Sequence, residues 1–161
     1  MAGVLGVHFA ITAEQERLLL AADSAGDTES LEALLEDIEE GWDDDDLTVD
    51  TDKEWDAIHR SLGDGTLDPD GPPYPLSHVI LGGRAMHDDY YVCYVSADEV
   101  REVAAALRQV DQDGLRQGFD KIGDDYDGPL DFDYTWSNLV DVRGFFDRAA
   151  EAGRAVLFTA T

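Results

Sequence analysis

Tyr91-Val92-Cys93-Tyr94-Val95-Ser96-Ala97-Asp98-Glu99 is the stretch that decides the fold class. Its first five residues are β-branched, aromatic or small and apolar, with no helical spacing, so they read as a strand from about Tyr90 to Val95. Ser96-x-x-Glu99 then carries the side chains of a capping box. Val100, Val103, Ala104 and Leu107 follow at helical spacing and predict a helix to about Val110. The same grammar occurs near the start of the chain. Val7-His8-Phe9-Ala10-Ile11-Thr12-Ala13-Glu14-Gln15 aligns with it residue for residue as strand, Thr/Ser cap, Ala, acid and Gln/Glu. Leu18, Leu19 and Ala22 continue that second helix. In both, an acid in the first turn suits the positive end of the helix dipole. A third strand, Ala155 to Phe158, follows a helix marked by Leu139, Val142, Phe146 and Ala149 and stopped by Gly153. The expectation is an α+β fold in a single compact domain over residues 1–161. About three or more strands form one sheet, near 4–11, 90–95 and 155–159, packed against several helices.

Between these steps, Leu31, Leu34, Leu35 and Ile38 predict a helix from about Glu29 to Glu40. Gly41 to Asp50, with its run Asp43 to Asp46, reads as a loop. Thr51-x-x-Glu54 has the residues of a third capping box and predicts a helix to about Leu62. Its stripe is Trp55, Ile58, His59 and Leu62, with Trp55, Ile58 and Leu62 facing the core. Gly63 to Pro75 is loop by its Gly and Pro signals, Leu76 to Leu81 reads as a strand or one helical turn, and Leu115 to Phe119 as a short helix. Gly123 to Pro129 is again loop.

The chain has 161 residues, 37 Asp+Glu and 11 Lys+Arg, for a formal charge of −26. The length suits one domain, and a hydrophobic share of 43 % is too high for a disordered acidic tail. A surface of this sign repels phosphate backbones and anionic lipid, so neither nucleic acid nor membrane is an expected partner. It attracts cations, a cationic protein partner or divalent ions, and the plain alternative is a solvated acidic surface that serves solubility. No apolar run approaches the ~20 residues of a membrane span. Met1 to Ala10 has no basic segment before its apolar stretch, so a cytoplasmic location is expected. Cys93, the single cysteine, allows no internal disulfide and no Cys-based zinc site. Mid-strand, it is expected to be buried and inert. The oligomeric state is left open.

No motif for chemistry stands out. The histidines His8, His59, His78 and His87 show no HExxH spacing, and no P-loop, dinucleotide-binding glycine motif or nucleophile elbow is present. No Asp-rich loop has the glycine and spacing of a calcium-binding EF-hand loop. No catalytic residue, metal or cofactor is therefore expected. The helix that starts near Asp52 is the most distinctive element. Trp55 and His59 are four residues apart on one face. Lys53 is one of only two lysines, and lies about 200° around the helix from Trp55. Lys53, Trp55 and His59 are the candidate binding residues. The plain alternative is a half-buried histidine that donates to a backbone carbonyl and packs beside the indole.

Asp52-Lys53-x-Trp55-Asp56-x-Ile58-His59-x-x-Leu62, followed by the Gly/Asp-rich loop and Pro75-Leu76-Ser77-His78-Val79-Ile80-Leu81-Gly82, resembles the YfbM-like family of bacterial proteins of unknown function. Val95 to Val100, Leu115 to Asp120 and Phe145 to Leu157 resemble further elements of that family, so the resemblance spans nearly the whole chain. It implies a domain of mixed α and β structure with no established activity or cofactor. One departure is Arg60, where the family usually has an apolar residue after the histidine. Two readings of function follow. The first is a non-enzymatic, acidic binding module, of accessory or immunity type, that engages a cationic protein partner. The second is a small-molecule-binding protein or enzyme with a pocket at Lys53, Trp55 and His59.

Overall fold

The computed structural model describes residues 4–40 and 46–160. Both aligned steps fold as their residues predict. Strand β1 (Gly6–Ile11) leads through Thr12 into helix α1 (Ala13–Ala25). Strand β4 (Tyr91–Val95) leads through Ser96 into α4 (Ala97–Leu107). The cap side chain takes the N3 amide, and the N3 side chain takes the cap amide, in both. Each box thereby satisfies two of the donors a helix start leaves orphaned. The remaining elements are α2 (Thr28–Glu40), β2 (Thr48–Asp50), α3 (Glu54–Ser61), β3 (Arg84–Ala85), α5 (Gln112–Phe119), α6 (Phe132–Glu151) and β5 (Ala155–Ala160). Residues 76–79 form one 3-10 turn.

The five strands form one sheet in the order β2-β1-β5-β4-β3, with every neighbouring pair antiparallel. The last strand sits at the centre, between β1 and β4. Both faces are covered. Val7, Phe9, Ile11, Val92, Tyr94 and Leu157 meet α1 and α2 on one side. Ala10, Cys93, Val95, Val156, Phe158 and Ala160 meet the larger cluster that includes residues of α3 to α6 on the other. This is why β1 and β5 are buried at every position, rather than alternating as a one-sided antiparallel sheet does.

The sheet has two more strands than the three named above, β2 and β3. They are edge strands of three and two residues, too short to leave a period in the sequence. Residues 48–50 were expected to be loop and instead pair with β1 at Val7, His8 and Phe9. The run Asp43 to Asp45 lies outside the described residues. Helix α6 begins at Phe132, earlier than the stripe from Leu139 suggested, because Asp131 caps it by accepting from the Tyr134 amide. The expected capping box at Thr51 does not form. The Thr51 hydroxyl donates to the Gly6 carbonyl, and Glu54 reaches Thr135 instead. Helix α3 starts after Lys53, with no side-chain cap. The tie to β1 outcompetes the local box.

Helices α3 and α5 approach closely because Gly118 has no side chain. A Cβ there would lie 1.8 Å from the Ser61 carbonyl oxygen. Gly118→Ala is expected to lose 1–3 kcal/mol or more, the usual cost of overpacking, roughly. Urea denaturation would measure it; a variant as stable as the parent would show that the crossing relaxes freely.

Candidate functional site

Helix α3 holds Trp55 and His59, with Lys53 at its cap, and the structure separates the lysine from the two rings. Trp55 is 1 % exposed, its indole N–H donates to the Val4 carbonyl at 2.9 Å, and its ring neighbours are Tyr91 and Phe158. His59 is fully buried, and its Nε2 lies 2.7 Å from the Asp68 carbonyl oxygen. The Nε2–H donates there, and burial lowers the pKa of the ring, which favours its neutral form. Both rings therefore fill the core, together with Ile58 and Leu62. Lys53 alone is exposed, on the rim of a groove. The reason is its place at the cap ahead of the helix, whereas α3 itself is buried at every position but Asp56.

The other titratable groups that might carry chemistry are also interior. His8 is wholly buried among Phe145, Phe146 and Phe158, bonds the Val79 carbonyl at 2.8 Å, and is held down to a pKa of about 4 by desolvation. Cys93 is buried in β4, and burial pushes its thiol up to about 12, so no thiolate is available at neutral pH. His78 links the Ser77 hydroxyl to Glu99 and docks the 76–79 turn on α4.

The groove at Lys53 has a volume of about 460 Å³, within the range of small-ligand sites. One wall is the start of α3: Asp52, Lys53, Glu54 and Asp56. The other is the segment before and at the start of α6, with Tyr126, Asp127, Asp131 and Tyr134. Three ties hold the walls together. The Tyr134 hydroxyl donates to Asp52 Oδ2 at 3.4 Å. The Thr135 hydroxyl donates to Glu54 Oε1 at 2.6 Å. Arg60, 4 % exposed, donates from Nε to Asp56 at 2.6 Å and from Nη1 to Asp125 at 2.8 Å and the Gly65 carbonyl at 3.3 Å. Its guanidinium carbon lies 5.7 Å from the centre of the Tyr126 ring. Asp52 has φ of +53°, a left-handed conformation that Asp tolerates better than most residues. It is held there because its N–H donates to Asp50 and its carbonyl accepts from the Gly6 amide.

Glu54 is the unusual group. It is 8 % exposed, accepts one hydrogen bond, from Thr135, and pairs with no cation among the described residues. Burial raises its pKa, and Asp131, Asp52 and Asp56 raise it further, against the Thr135 bond. A buried carboxylate without a counter-charge destabilises a fold. Glu54→Gln keeps an acceptor for Thr135 and removes the charge, so at pH 7 it is expected to melt above the parent. The sign follows from the raised pKa: the folded parent binds the proton more tightly than the unfolded chain. The parent therefore gains stability as pH falls through the raised value, and the advantage of the variant shrinks. Parallel melts from pH 7 to pH 4 check this; a constant difference would contradict it.

The sequence did not reveal this groove. Lys53 and the Asp-rich loops stand out in sequence, but Glu54 and Thr135 meet across 81 positions, and no local pattern links residues 52–56 to 126–134.

A family model covers residues 2–159. The chain belongs to the family of the domain of unknown function DUF1877. The crystal structure of YfbM from Escherichia coli, a protein of unknown function, matches with a TM-score of 0.69 and 18 % identity, over 98 % of this chain and 99 % of that one. At that identity the likeness is one of fold. Curated proteins give no match. This DUF1877 chain therefore has the YfbM-like α+β fold that its α3 residues resemble. Among its described residues no helix is long and apolar enough to cross a membrane, and no group of three or more His, Cys, Asp or Glu is placed to hold a metal ion.

Proposed function

We propose that this protein is an acidic binding module that engages a cationic protein partner through the groove between α3 and the start of α6. The observation that supports this most is Glu54, a nine-tenths-buried carboxylate in the groove with no cation beside it. Asp52, Asp127 and Asp131 line the same groove without an ion pair among the described residues. An incoming cation would relieve their repulsion, and the overall charge of −26 would speed its approach. A second reading, a small-molecule site on this helix, is supported by the groove's volume. It keeps Lys53 and passes from Trp55 and His59 to Tyr126 and Tyr134.

Calorimetry with a lysine- and arginine-rich peptide of about twenty residues tests the first reading. Asp52→Asn, Glu54→Gln and Asp131→Asn together are expected to weaken binding at least tenfold. Asn at 131 can still cap α6. Glu29→Gln, Glu36→Gln and Asp37→Asn, which remove the same charge from exposed positions of α2, are expected to change it less than twofold. Equal losses would mean diffuse attraction to an acidic surface, and would overturn the groove as the site.

A further inference from the structure

We infer that the group this groove selects is a guanidinium, the side chain of an arginine in the partner. The inference rests on the proposed function and specifies its chemistry. The first support is the distribution of the carboxylates. Asp52, Glu54, Asp127 and Asp131 are shared between two walls and do not converge as metal ligands do. A cation with several donors spread in a plane fits such an arrangement better than a point charge. Guanidinium has five N–H groups in a rigid fork, whereas ammonium has three on one atom.

The second support is aromatic. Tyr126 and Tyr134 both line the groove, and weakly hydrated guanidinium groups favour aromatic faces. The third is a precedent six residues along the chain from Glu54. Arg60 is held by one carboxylate from each side, Asp56 of α3 and Asp125 of the loop, beside the ring of Tyr126. The two walls thus already clasp one guanidinium with carboxylates and a tyrosine. Arg60 occupies Asp56 and Asp125; Glu54, Asp52 and Asp131 each give one oxygen to a neutral donor, from Thr135, the Tyr134 hydroxyl and the Tyr134 amide, and leave the other to a second guanidinium. Glu54 sets the groove apart from the open acidic surface. It is more than nine-tenths buried and lines the groove; Thr135 holds its Oε1, while Oε2 has no hydrogen-bond partner among the described residues and stays open to solvent. Lys53, on the rim, makes no ion pair with these carboxylates and does not fill their place.

The test uses three acetylated, amidated hexapeptides, of arginine, lysine and citrulline, titrated calorimetrically into the full-length protein at about 150 mM salt. Citrulline keeps the planar shape and loses the charge. The arginine peptide is expected to bind about tenfold more tightly than the lysine peptide, and the citrulline peptide to show no binding. Glu54→Gln is expected to reduce arginine binding about tenfold and to bring the arginine and lysine peptides within about threefold of each other. Its thermal melt reports that the fold is kept. Tyr126→Leu is expected to narrow the arginine preference while lysine binding stays within about twofold. Equal binding of the arginine and lysine peptides, both weakened by Glu54→Gln, would overturn the guanidinium inference and leave the groove as a cation site. Binding that Glu54→Gln does not change would overturn both.

Discussion

Trp55→Ala is expected to lose about 3–5 kcal/mol of stability, the cost of removing a large aromatic from a packed core. For a chain of this length that is a fall in Tm of the order of 10 °C. The indole closes three contacts at once. It packs on Tyr91 and Phe158 of the sheet, and its N–H satisfies the Val4 carbonyl ahead of β1. It also fills the space over Gly6, where an added Cβ would lie 2.5 Å from its ring. The truncation therefore leaves a cavity between α3 and the sheet and an unsatisfied acceptor beside it. Guanidinium titration followed by circular dichroism measures the loss. A variant that melts with the parent would contradict the interior placement of this side chain. Because Trp55 is interior, the same variant is not a clean probe of ligand binding.

Arg60→Met is the second large effect, expected at about 3 kcal/mol. Removing one partner of a buried ion pair usually costs 3–5 kcal/mol, approximately, because the remaining charge is stranded. The lower end applies here because Asp125 is 71 % exposed and returns to water, while Asp56, at 15 %, does not. Arg60→Met with Asp56→Leu removes both buried charges and is expected to recover most of the loss, since an apolar pair can replace a buried ionic one at little net cost. If the double variant were no more stable than the single one, the loss would lie in Arg60 packing rather than in a stranded charge. Arg60 is 4 % exposed, so this position is interior. The present chain places a charge there and surrounds it with Asp56, Asp125, the Gly65 carbonyl and Tyr126.

These two residues show what α3 discloses in sequence and what it does not. The spacing of Trp55, Ile58 and Leu62 marks their common face as interior, and the plain reading of His59, donation to a carbonyl, is the contact it makes with Asp68. The burial of the opposite face is not legible, because it depends on α5 arriving at Gly118 and α6 arriving at Thr135. Glu54 and Arg60 look like solvated charges until those helices cover them.

The two strand-to-helix steps draw the same line for the fold as a whole. Local sequence determined that β1 and β4 are strands, that Thr12 and Ser96 start helices, and that the result is α+β. Capping and strand propensity act within a few residues, so they are visible there. Tertiary structure alone decided where each helix goes. Ile11 pairs with Ala155 and its aligned counterpart Val95 with Val156, a difference of one residue in register against the same central strand. Side chains on a strand alternate with a period of two, so that single step places matching positions on opposite faces of the sheet. Val7, Phe9 and Ile11 accordingly meet α1 and α2, while Cys93 and Val95 join the core with α4 and α6. Register is set by how distant strands pair, and the groove arises in the same way, from residues 52–56 and 126–134 that only the packed helices bring together.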